Sequence, residues 1–222
     1  DDYKFSELES NLLLTFNHNF TDKISFTGLL GQSTNQRQSD RQLFQGKKYT
    51  VPGIYDMNNI QNVVPYGGGI SKRRLIALLG DVTLGYDGYL FFNFSGRNDW
   101  SSTLPPEHNS YFYPGVSTSF IFTEAFEGLQ SNFLNLGKLR FAWGKVGQDA
   151  PVYSLYDVYE LYTPILGQPS MYTPNTGYST SLTPEFKDEF EGGTELVFFN
   201  NKIGIDLTLY KKRTYNQILD ID

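Results

Sequence analysis

LTPEFKDEFEGGTELVFFNNKIGIDLTLYKKRTYNQIL, the stretch Leu182–Leu219, decides the fold. Two runs of alternating character meet at Asn200-Asn201-Lys202. After that point Ile203, Ile205, Leu207 and Leu209 fall on one face, while Gly204, Asp206, Thr208 and Tyr210 fall on the other. Before it, Leu196 and Phe198 oppose Glu195 and Val197, and Glu191 and Gly193 continue the second face. A period of two sends successive side chains to opposite sides of a strand. Asn tolerates the positive φ of a tight turn, so the two runs read as a hairpin. One face is oily and the other carries carboxylates and glycines. That pattern suits a sheet with hydrocarbon on one side and water on the other.

The same alternation predicts further strands upstream at Ser10–Phe20, Ile24–Gln36, Lys72–Tyr86, Tyr89–Asn98, Tyr111–Thr123 and Leu136–Val146, eight with the hairpin. Thr21-Asp22-Lys23 and Asp87-Gly88 are tight turns. Between the second and third strands lies a polar stretch with the breakers Gln45-Gly46-Lys47, Pro52-Gly53 and Gly67-Gly68-Gly69. Trp100–Asn109 reads as a loop, Glu124–Asn135 as a longer turn with a helical turn or two, and Gln148–Pro184 as a long irregular connection. Short turns at one end and long loops at the other describe an all-β, antiparallel transmembrane β-barrel meander. Phe20, Tyr86, Tyr89, Tyr111, Phe112 and Phe199 near the strand ends fit an aromatic girdle. Both ends of the chain then fall on the extracellular side, so residues 1–222 read as an internal slice of one larger barrel domain.

Composition narrows the class. The net charge of −6 argues against a nucleic-acid partner, whose phosphates want clustered Lys and Arg. Cysteine is absent, so no thiolate or disulfide chemistry is available. No apolar run approaches the ~20 residues of a spanning helix. His18 and His108 have no carboxylates at ligand spacing, and no metal or other cofactor is expected. No nucleophile elbow of the G-x-S-x-G type is present. Asp188, Glu189 and Glu191 raise the question of paired-carboxylate chemistry, but alternation puts Glu189, Glu191 and Glu195 on one face as polar lining.

The run Thr183 to Leu219 closely resembles the SusC/RagA-like TonB-dependent outer-membrane transporters, through LTPEFKDEFEGGTEL, FFNNKIGIDLTLYKK and TYNQIL. GRNDWSSTLP (Gly96–Pro105), YFYPGVSTSFIFTE (Tyr111–Glu124) and LGKLRFAWGKVGQDA (Leu136–Ala150) resemble other barrel segments of that family, in the same order. The resemblance implies about eight of the roughly 22 strands of a plugged barrel, with plug, energy-coupling box and closing strands outside this sequence. It implies no enzyme activity, but uptake of an oligosaccharide or peptide across the bacterial outer membrane. The implied partners are a TonB energy-coupling complex acting through the plug, a SusD-like surface lipoprotein closing the mouth, and outer-membrane lipid.

Two sets of residues follow. Asp81, Arg97, Lys138, Arg140, Glu195 and Asp206, with Thr83 and Asn93, fall on the polar face and carry both signs of charge. They read as a salt-bridge lattice holding the plug or as a hydrated path for solute. Tyr153, Tyr156, Tyr159 and Tyr162 recur at a spacing of three in the long loop, which suggests one side of a short helix, and Tyr172 and Tyr178 follow. A phenol offers an apolar face and a polar tip, so these tyrosines are candidates to contact solute or the lid lipoprotein. Two alternatives remain at this stage: a carbohydrate-binding β-sandwich, soluble or surface-borne, and a small outer-membrane barrel enzyme.

Overall fold

A computed structural model describes residues 1–126, 128–155, 159–166, 168–173 and 179–219; of 65, 66 and 160–164 it describes the backbone only. The strands are β1 (Asp2–Asn19), β2 (Ile24–Gly46), β3 (Val63–Tyr86), β4 (Leu90–Ser101), β5 (Ser110–Ile121), β6 (Leu134–Gln148), β7 (Glu160–Ile165), β8 (Gln168–Tyr172), β9 (Glu185–Phe198) and β10 (Ile203–Tyr215). A single helical turn, α1 (Phe122–Ala125), follows β5. Eight strands form one antiparallel sheet in the order β1-β2-β3-β4-β5-β6-β9-β10, and β7 and β8 pair separately. The order is sequential apart from that inserted hairpin, as a barrel meander requires.

Register keeps the two faces apart across the sheet. Residues directly opposite share a face, and Phe92, Thr118, Phe141, Gly192 and Leu209 form one continuous row. The next row on the other face is Thr83, Asn93, Ser117, Ala142, Glu191 and Tyr210. A slip of one residue would exchange the faces, and none occurs along these rows. The oily face stays uncovered: Phe141 is 59% exposed and Leu207 55%. Phe120 and Leu196 are half-buried. No second sheet covers this face among the described residues, contrary to what a β-sandwich requires.

The short turns gather at one end. Asp87 and Gly88 both have positive φ, 52° and 75°, the requirement of the tight hairpin turn. Phe199, Asn200 and Asn201 do the same at 55°, 55° and 65°. Lys23 and Asp87 tie neighbouring turns by an ion pair of 2.9 Å. Aromatic rings pack edge to face along this end, with His18 4.9 Å from Phe20, Tyr86 5.6 Å from Tyr89 and Phe133 5.2 Å from Phe199. Here the expected girdle is present. Tyr111 is a correction: it is 5% exposed and packs in a core under the loops, because a neighbouring loop folds over it.

Three further expectations are corrected. β1 begins at Asp2 rather than Ser10, and β2 and β3 continue far into the polar stretch taken as loop. Polar and apolar residues mix on each face of that extension, with Tyr3 and Phe5 beside Glu7 on one and Leu8 beside Lys4 on the other, so alternation of hydropathy carries no signal there even though the ladder is intact. The connection Gln148–Pro184 is not wholly irregular, since it contains β7 and β8.

Packing at the short-turn end supplies a test. A Cβ on Gly137 would stand 2.1 Å from the Phe122 ring, whereas one on Gly204 would meet nothing. Gly137→Ala is therefore expected to cost ~1–3 kcal/mol through displacement of that ring. Gly204→Ala is the matched control, and unfolding midpoints in urea compare the two.

Candidate functional site

The polar face presents a wall of paired charges built across strands. Lys138 on β6 faces Glu195 on β9 directly, with Nζ 3.8 Å from Oε2. Arg140, one step further along β6, reaches past β9 to Asp206 on β10 at 2.5 Å. Asp81 accepts from Asn93 Nδ2 at 2.9 and 3.0 Å, and the same nitrogen donates to Thr83 Oγ1 at 2.9 Å. Arg97 donates to Asp99 Oδ1 at 2.7 Å, and the Tyr113 hydroxyl donates to the other oxygen at 2.5 Å. All six charged residues of the expected set lie on this face by register. They do not form one cluster: Lys138, Arg140, Glu195 and Asp206 meet near the short-turn end of β6, β9 and β10, while Asp81 and Arg97 pair with Asn93 and Asp99 of β4.

A recess of about 400 Å³ opens on this face where side chains are small. Ser117, Ser119, Ala142 and Gly193 leave room beneath Arg140 and Glu191. Chemically the arrangement can hold water and polar groups of either sign. The face is not uniformly polar, since Leu13 and Leu79 close over Gly31, where a Cβ would meet them at 2.7 and 2.9 Å.

Sequence reasoning missed the most buried polar cluster. It lies at the long-loop end, where the 101–110 loop and the segment after β6 fold onto the polar face. The guanidinium of Arg73 on β3 grips Asp149 through two bonds, Nε to Oδ2 at 2.8 Å and Nη2 to Oδ1 at 2.9 Å. Ser101 donates to Asp149 as well, and Thr103 Oγ1 donates to it at 3.0 Å. Beside them Leu104, Tyr111 and Ala150 form the buried apolar core, with Leu182, Phe186 and Ile218 against it. The β5–β6 ladder ends at Gly115 and Gly144, and above it Tyr111 packs on Phe186 with ring centroids 6.5 Å apart. Gly147 makes that room: a Cβ there would stand 2.7 Å from Tyr111.

Burial of Asp149 works to raise its pKa, but the hydrogen bonds from Arg73, Ser101 and Thr103 prevail and hold it below the usual 3.8. A carboxylate with a depressed folded pKa contributes stability that is present above the unfolded value and lost as pH falls through the folded one. Loop docking is therefore expected to persist at pH 5 and to weaken only below 3.8. Amide exchange of residues 101–104 as a function of pH measures this, and release already at pH 5 would contradict it.

The described tyrosines of the long loop lie in a turn, in strands and beside a strand rather than on a helix. Tyr153 lies in a turn, with its hydroxyl donating to Ile70 O at 3.0 Å and accepting from Lys72 N at 3.2 Å, so it pins the loop to β3. Tyr159 is exposed and precedes β7, Tyr162 pairs with Ser170 in the backbone ladder, and Tyr172 ends β8. Strand pairing overrides the spacing of three here, because β7 finds a partner in β8 across Leu166, whose φ is 52°. Tyr156 and Tyr178 lie outside the described residues. No group of three or more His, Asp or Glu among the described residues is placed to hold a metal ion, and no described helix is long and apolar enough to cross a membrane, which says nothing of strands.

Comparison with known proteins agrees with this geometry. The family described as "TonB dependent receptor-like, beta-barrel" matches residues 1–222. A curated relative, TonB-dependent receptor P26 of Formosa agariphila, is 26% identical over 173 residues, covering 74% of this chain and 17% of its own length. The solved structure of the RagAB peptide transporter superposes with a TM-score of 0.86 at 17% identity, covering 99% of this chain and 25% of that one. The RagAB peptide importer in its closed-closed state gives a TM-score of 0.79 over 96% of this chain and 24% of that one. The chain thus spans about a quarter or less of the proteins it resembles. These relatives are receptors and transporters, not enzymes.

Proposed function

This chain belongs to the TonB-dependent receptor-like β-barrel family, a family of the outer membrane, and from that premise we propose that it is the wall of an active importer. The oily face of β1 to β6, β9 and β10 meets lipid, and the polar face lines the lumen. The transported solute is a peptide or an oligosaccharide. Uptake is energised by TonB through a plug outside this sequence, and residues 1–222 are part of a single barrel domain whose closing strands also lie elsewhere. A SusD-like surface lipoprotein closes over the long-loop end, where Tyr153, Tyr159 and Tyr172 stand. The observation that carries this reading is the uncovered two-faced sheet, with an exposed apolar surface on one side and Lys138–Glu195 and Arg140–Asp206 on the other.

Opposite charges on the wall suit a stoppered pore, because each can exchange its wall partner for a group on the plug without leaving a bare charge behind. The small residues beneath Arg140 let another surface come close. The same recess admits water and a polar solute once the plug shifts. Uptake of labelled oligopeptides and oligosaccharides by cells carrying or lacking the intact protein tests the proposal. Uptake that depends on the protein and collapses when the inner-membrane proton gradient is dissipated is the expected result. Gradient-independent leakage, or no difference between the strains for either solute class, would contradict it.

A further inference from the structure

Trp143, Phe190 and Lys211 share one row of the apolar face across β6, β9 and β10. In the next row toward the short turns, Phe141 and Leu209 flank Gly192, with Thr118 beside Phe141. Because Gly192 carries no side chain, a groove of about 670 Å³ lies between these residues. In the row on the other side of Lys211, toward the long loops, Lys145, Asp188 and Arg213 are register partners. Lys145 Nζ stands 5.2 Å from the Phe186 ring centroid and 5.6 Å from that of Tyr215, and the Arg213 guanidinium stands 5.9 Å from the Tyr215 ring. Rows on one face are ~6.8 Å apart along a strand and neighbouring strands ~4.8 Å apart. Lys211 lines the groove, and Lys145 and Arg213 stand one row beyond its end, about 7–12 Å from one another and from Lys211 by these spacings, with Asp188 as the acid in their row.

We propose that this groove and its cations hold one outer-leaflet lipid with an anionic phosphate headgroup. Its acyl chain lies over Gly192, and its phosphate meets Lys145, Lys211 and Arg213. The inference rests on the reading that the apolar face meets lipid. Charge selects the occupant: in a chain of net −6, three cations against one carboxylate face outward at this level. The depth agrees, because Trp143 in the Lys211 row marks the level at which an amphipathic ring sits between tails and headgroups. Arg offers phosphate a planar fork and Lys a point charge.

The test uses the intact protein that carries this chain, in nanodiscs of equal phosphatidylglycerol and phosphatidylcholine, with retained lipid counted by native mass spectrometry after release into detergent. The wild type is expected to keep phosphatidylglycerol in preference to phosphatidylcholine. The triple variant K145A/K211A/R213A is expected to weaken that retention on the order of 100-fold, from the loss of three surface cations. Gly192→Leu fills the groove and is expected to reduce retention with the cations intact; a Cβ at Gly192 meets the Phe141 ring at an ordinary 3.6 Å, and the unfolding midpoint of the variant in urea checks that the barrel still folds. Equal retention of the two lipids, or equal retention by all three proteins, overturns the lipid site while leaving the membrane-facing reading in place. Failure of the wild type to insert into the nanodisc removes both, and is told apart by the absence of any embedded protein.

Discussion

Leu207→Arg is expected to cost the folded barrel ~2–4 kcal/mol, the penalty of a cation on the lipid face near the bilayer midplane. Leu207 sits on β10 two rows from Ile203 at the short turn and two from Lys211, and its side chain is 55% exposed. In a water-soluble protein an exposed leucine tolerates a charge at little cost, since the guanidinium stays hydrated. In hydrocarbon it must snorkel or draw water inward. Tyr210→Arg is the control, because Tyr210 is exposed on the opposite face beside Glu191, its register partner. That substitution is expected to stay within about 1 kcal/mol, the worth of the exposed cation–π contact from Lys212 that it removes. Urea unfolding of the intact protein in lipid vesicles measures both. Equal tolerance at the two positions would mean that the apolar face does not meet hydrocarbon.

The sequence is legible wherever the two sides of a strand face different solvents. Leu12, Leu14 and Phe16 alternate with Asn11, Thr15 and Asn17, and Ile203 to Leu209 alternate with Gly204 to Tyr210; both segments are strands in register. Asp2–Glu9 and Arg37–Gly46 are equally regular in the backbone, yet polar residues point to both sides and the period disappears. The charged wall was readable as a face, because parity alone assigns Lys138, Arg140, Glu195 and Asp206 to one side. Which charge pairs with which depends on register between strands, and Arg140 passes over its direct partner Gly193 to reach Asp206. Arg73 and Asp149 are 76 residues apart, and nothing local to either announces the other. Their meeting follows from the meander, which brings the middle of β3 beside the ends of β4 and β6, so only the folded sheet reveals it.

Asp149→Ala is expected to release the loops at that rim, at a local cost of ~2–4 kcal/mol. Removal of the carboxylate leaves the Arg73 guanidinium with its two donors unmatched, and takes the acceptor from Ser101 and Thr103, which are 2% and 3% exposed. The cost stays below that of a fully enclosed ion pair because the Arg73 side chain keeps 24% of its surface in contact with solvent. The apolar core of Leu104, Tyr111 and Ala150 is too small to hold the loops alone, so the hydrogen bonds decide whether they dock. Faster amide exchange is expected at Ser101–Leu104 and around Ala150, with exchange in the β1–β2 ladder unchanged. Arg73→Leu combined with Asp149→Leu removes both charges together and is expected to recover most of the loss, since no charge is left buried without a partner. If Asp149→Ala exchanges like the wild type, the ion pair is not what fastens the loops. If the double variant is no better than the single, the cost comes from the hydroxyls of Ser101 and Thr103 rather than from the stranded guanidinium, because those hydroxyls lack their acceptor in both proteins.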